Sequence, residues 1–64
     1  MARIYMENEG GDKIRICERR TGDNLMTVIR GGDGSRKDFE VQKPTRELVA
    51  RLRQEGFKVT EMIE

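Results

Sequence analysis

Residues 30–37, Arg-Gly-Gly-Asp-Gly-Ser-Arg-Lys, place three glycines among Arg30, Arg36 and Lys37. Glycine-rich backbone amides beside guanidinium groups can cradle a phosphate. This stretch lacks the Gly-Lys-Ser/Thr ending of a nucleotide-binding loop, and Asp33 repels an anion. A strand follows it, so no helix N-terminus lends its dipole. The plain reading is a connector, one that a short Asn-Gly turn could replace without unfolding the chain. A second basic series, Lys13, Arg15, Arg19 and Arg20, falls near Tyr5. A tyrosine on a basic strand face can stack a base, as in single-strand binders. Glu7 and Glu18 interrupt that series. A third group, Arg46, Arg51 and Arg53, lies on a helix, where Glu47 and Arg51 form a favourable i, i+4 pair. Arg46 and Arg53 are left for solvent or an acidic partner.

Catalysis finds little support. General-base chemistry near neutral pH falls most often to histidine, and there is none. The one cysteine, Cys17, has only Arg15 and Arg19 nearby to activate it. No carboxylates pair at a spacing that suggests acid–base work. A lone thiol without histidine cannot build a zinc site, so no metal or cofactor is expected. The reading is non-enzymatic.

Composition narrows the class further. Sixty-four residues make one domain, residues 1–64, near the lower size limit for unaided folding. One cysteine permits no internal disulfide and suggests a reducing, intracellular and cytoplasmic setting. Thirteen basic against twelve acidic side chains leave a net charge of +1, which argues against a wholesale polyanion binder. No apolar run approaches the ~18–20 residues of a membrane span, and no signal-peptide core is visible.

These side chains must be positioned by short strands. Residues 2–7 alternate strictly, with Ala2, Ile4 and Met6 opposite Arg3, Tyr5 and Glu7. Residues 13–19 alternate again around Ile14 and Ile16. Residues 25–29 are apolar on both sides, as in a central strand covered from two directions. Turns of Asn, Asp, Gly and Thr separate them. A fourth strand is expected around Phe39 and Val41. Pro44 then blocks continuation, Thr45 suits an N-cap, and Glu47 offsets the helix dipole. Leu48, Val49 and Leu52 make one apolar stripe. Gly56 suits a left-handed helix stop, with Phe57 folding back on Leu52. Phe57, Val59 and Ile63 alternate as a last strand, with Glu61 breaking the series.

The expected architecture is α+β: a single small ββββαβ domain, an antiparallel meander with one helix on one sheet face and a C-terminal strand. One short helix covers one face, which should hold Ile4, Met6, Ile14, Ile16, Met26, Val28, Phe39 and Val41. The opposite face would expose Tyr5, Arg15, Cys17, Leu25, Thr27, Ile29 and Met62, and an uncovered face of that kind is usually an interface. A homodimer through this face is the leading expectation; a different partner protein is the second reading, and a solvated face with scattered apolar residues is the third. A weak single-stranded nucleic-acid binder is the alternative, using Tyr5, Arg15, Arg19 and Arg20 with Arg30, Arg36 and Lys37 of the glycine-rich loop.

Overall fold

The alternating segments become the strands of one sheet. The structure, a computed structural model, describes residues 2–64. β1 (Arg3–Glu7), β2 (Lys13–Glu18), β3 (Asn24–Ile29) and β4 (Arg36–Val41) run as a meander. The helix α1 (Thr45–Gln54) then carries the chain to the far edge, where β5 (Lys58–Ile63) pairs with β1. The strand order is β4-β3-β2-β1-β5, and every pair is antiparallel. This is the expected ββββαβ arrangement. Four strand spacings separate the edges by about 19 Å. A helix of ten residues is about 15 Å long, enough with short linkers to return the chain across the sheet.

The core follows from the alternation. Ile4 pairs with Ile16 and Met6 with Ile14 on the side facing α1, where Leu48 and Leu52 close over them. All six are buried. Met26, Val28, Val41, Val49, Phe57 and Val59 pack around them. Phe39 stands on the same side, opposite Met26, but 40% of its surface is exposed because the core centres on β1 and β2.

The C-terminal end of the helix is specified locally. Gly56 has φ +99°, which only glycine adopts readily. The Phe57 N–H bonds Leu52 O at 3.0 Å and the Gly56 N–H bonds Arg53 O at 3.1 Å, the paired closure of a Schellman stop. At the other end the cap differs from expectation. Pro44 occupies the N-cap position and Thr45 is the first helical residue. The Thr45 hydroxyl turns to the sheet, where it donates to Glu18 Oε2 at 2.5 Å and lies 3.2 Å from Asn24 Oδ1. Arg51 also chooses a different partner, pairing with Glu55 at 3.3 Å rather than with Glu47.

β5 departs from simple alternation. Tyr5 faces Glu61 but Met6 faces Val59, so Thr60 is an extra residue, a β-bulge. Its hydroxyl bonds Tyr5 O at 3.3 Å. The bulge reverses the phase of the strand: Val59 and Met62 fall on the helix side, Glu61 and Ile63 on the other. Met62, expected on the helix-free face, therefore lies beside Ile4 and the helix residues Val49 and Ala50.

The β3–β4 loop is docked rather than a bare connector. The Gly31 N–H donates to Asp12 Oδ1 at 2.8 Å, tying this loop to the β1–β2 turn. A Cβ at Gly31 would lie 2.7 Å from Gly10 O and from Gly11 C. Both obstacles are backbone, so the two turns would have to separate. Gly31→Ala should therefore cost about 1–3 kcal/mol, read as a lowered denaturant midpoint, whereas Gly32→Ala meets no neighbour and should cost much less. Equal midpoints for the two variants would show that the turns do not hold each other.

Candidate functional site

The strand register arranges the helix-free face as three rows across the sheet. One end row reads Arg36, Ile29, Lys13, Glu7, Lys58 from β4 to β5. The central row is Asp38, Thr27, Arg15, Tyr5, Glu61, and the third is Glu40, Leu25, Cys17, Arg3, Ile63. Six of the seven residues expected on this face are thus brought together: Tyr5, Arg15, Cys17, Leu25, Thr27 and Ile29. Met62 is the one it loses, and Ile63, 42% exposed, takes a place there that the unbroken alternation of β5 did not assign as an interface residue. The bulge at Thr60 is the reason. Two residues on one strand opposite a single partner leave no trace in composition.

The face is neither flat nor uniformly apolar. Tyr5, Arg15, Cys17, Leu25 and Ile29 are half-buried by their own neighbours. Thr27 is fully buried although no helix lies over it, and its hydroxyl donates to Asp38 Oδ1 at 2.7 Å. A cleft of about 310 Å³ opens over the central row, with Tyr5, Arg15, Thr27 and Ile29 in its walls and Lys13, Glu7, Arg36 and Glu61 around them. Arg15 Nε is buried there with no hydrogen-bond partner. A buried charged donor without an acceptor is costly, and a partner's oxygen or an ordered water would relieve it. Five cations and four carboxylates are interspersed over the three rows, so the face as a whole carries no large field of one sign.

The candidate anion contacts separate into two groups. Arg19 is held at the β2–β3 turn, where its guanidinium bonds Asp23 through Nε at 3.1 Å and through a second, shorter contact, and reaches Glu40 at 3.4 Å. Arg20 is exposed beside it. Arg30, Arg36 and Lys37 lie at the opposite end of β3 and β4, exposed around the docked loop. The structure does not gather these five into one surface. Nor does it place Arg30 and Lys37 on the face that holds Tyr5, because Lys37 pairs with Val28 on the helix side.

A polar cluster at the base of the helix had no signature in the sequence. Asn24 is 1% exposed and donates through Nδ2 to Lys43 O at 2.8 Å. Glu18 accepts from Thr45 and from the Ala2 N–H at 3.0 Å. These bonds join β1, β2, β3 and the first turn of α1, and no carboxylate pair or nucleophile is assembled by them. Among the described residues, no three of His, Cys, Asp and Glu come together as metal ligands. No protein-family model, curated protein or solved structure matches the chain.

Several carboxylates are held below their ordinary range. Arg19 and the Thr21 hydroxyl lower Asp23 from 3.8 to about 2. Thr45 and the Ala2 amide lower Glu18, while the Gly31 amide and Asn8 lower Asp12. A carboxylate whose folded value lies below its unfolded value stabilises the fold above the unfolded value. That contribution is lost as pH falls through the folded one. The melting temperature should accordingly be flat above about pH 5 and fall between about pH 4 and pH 2. Asp23→Asn should flatten the lower part of that fall. An identical acid profile for the variant would show that the Arg19–Asp23 turn adds no pH-dependent stability.

Proposed function

We propose that this protein is a non-enzymatic binding module that docks a second copy of itself on the helix-free sheet face. The observation that carries the proposal is the convergence of Tyr5, Cys17, Leu25 and Ile29 on the one face that α1 does not cover. Interspersed charges of both signs suit a self-complementary surface, in which a two-fold axis sets the cations of one copy against the carboxylates of the other. Arg15 lies at the centre of the face, in the cleft lined by Tyr5, Thr27 and Ile29. Ion pairing of Arg19 with Asp23 and Glu40 supports a protein surface over a phosphate-binding one at that end. The reading also takes the molecule to be a regulatory or assembly component of the cytoplasm, where the free Cys17 thiol would stay reduced. Among the described residues no helix is long and apolar enough to cross a membrane.

The expected strength follows from size. The sheet is about 19 Å across and its strands about 20 Å long, so each copy would contribute on the order of 400 Å². A total below ~1,200 Å² belongs with weak and transient interfaces. Dissociation in the micromolar range is therefore expected, with stability rising as protein concentration rises. Sedimentation from about 1 to 200 µM should show a monomer–dimer equilibrium that weakens only modestly as salt rises, since exposed ion pairs add little each and are screened. Tyr5→Asp and Ile29→Asp should each leave a folded monomer, because a charge would be desolvated in the contact. Met62→Asp, on the helix side, should not change the equilibrium. A monomer at all concentrations, or a dimer lost only through Met62, would refute the assignment.

A further inference from the structure

The corner where the β3–β4 loop meets the outer edge of β4 gathers an exposed aromatic ring and several cations. Phe39 lies on the helix side of β4, beyond the core, with 40% of its surface exposed. Lys37 stands next to it on the same side, its Nζ 5.8 Å from the ring centroid. A cleft of about 340 Å³ is lined by Val28, Arg30, Ser35, Arg36, Lys37 and Phe39. Arg30, Lys37, the Phe39 ring and the Ser35 hydroxyl meet there beside Val28, with Arg36 at the strand edge; no carboxylate lines the cleft, although Asp33 and Asp12 lie close enough to interact with the Arg30 charge. In a chain whose acids and bases nearly balance, that local excess stands out. Among the described residues Arg30 and Lys37 make no ion pair, and Arg36 has only a 4.0 Å contact to Asp38 between two exposed side chains. Contacts of that kind hold a side chain weakly.

We propose that this corner binds single-stranded nucleic acid, with one base stacked on Phe39 and the flanking phosphates held by Arg30, Arg36 and Lys37. Aromatic rings that take a base face, beside cations that follow the backbone, are the general means of binding a single strand. Lys37 already marks the open face of the ring, and on binding it moves aside to a phosphate. A duplex presents no free base face and gains nothing from the ring. An acidic peptide would use the cations but leave the ring without a planar partner. Phe39, Arg30 and Lys37 lie away from the helix-free face around Tyr5 and Ile29, Arg36 borders both surfaces through its pairing with Ile29, and neither proposal rests on the other.

Fluorescence anisotropy with a labelled single-stranded oligodeoxythymidine of about a dozen nucleotides tests this directly. At low salt it should bind with micromolar affinity, and with three phosphate contacts the log–log salt slope should be about −2. Phe39→Ala should weaken binding roughly tenfold while Phe39→Tyr retains it, since the second keeps a ring to stack on. The paired surface change Arg30→Glu with Lys37→Glu should abolish binding, and it provides the decision if Phe39→Ala fails to fold. Absence of binding at roughly 100 µM protein would overturn the proposal. So would equal affinity for a duplex of the same length, unchanged affinity of a folded Phe39→Ala, or equal displacement of the label by a poly-glutamate peptide.

Discussion

One ten-residue helix has to serve a five-stranded sheet, and that mismatch of size governs the rest of the molecule. Leu48 and Leu52 lie over the pairs formed by Ile4, Ile16, Met6 and Ile14, so the dry core is confined to the two strands at the sheet's centre. Residues further out receive only partial cover. Met26 and Val28 on β3 are half-buried, and Phe39 on β4 is more exposed still. The other face has no covering element. A core this small yields limited stability, and without disulfides the chain gains from any partner that buries more apolar surface.

Placement of that helix depends on polar contacts as much as on leucines. Asn24 and Glu18 meet Thr45 from the sheet, and Asn24 also reaches the Lys43 carbonyl just before the helix begins. Buried polar groups are costly unless satisfied, so a shifted helix would forfeit these bonds as well as its packing. Gly56 and the Schellman bonds fix the other end and turn the chain into β5. With both ends anchored, the helix cannot slide toward β4 to cover Phe39. The exposure of that ring is thus a consequence of how the helix is held.

Much of the architecture was legible in the sequence because its causes are local. Strict alternation in residues 2–7 and 13–19, the Pro44 break, the Leu48–Leu52 spacing and the Gly56 stop each reflect forces acting within a few residues. Partner choice was not local and was less legible. Thr45 has the chemistry of an N-cap, yet the Glu18 carboxylate, 27 residues away in sequence, takes its hydroxyl. The Thr60 bulge reverses the facing of Met62 and Ile63, which period-two counting cannot detect. Phe39 followed its strand's alternation correctly, but the reach of the helix, a tertiary quantity, decided its exposure. Of the candidate surface, Tyr5, Arg15, Cys17, Leu25, Thr27 and Ile29 could be grouped beforehand, since register along a meander follows from alternation and short turns.

On the function proposed above, two copies meet through the face that the helix leaves bare. Isotope-filtered NMR on a mixture of labelled and unlabelled protein tests it most directly, because it reports only contacts between copies. At concentrations above the dimer midpoint, intermolecular contacts should appear at the side chains of Tyr5, Leu25 and Ile29 and be absent from Leu48, Leu52 and Met62. Intermolecular contacts confined to the helix side, or none at any concentration, would contradict the account.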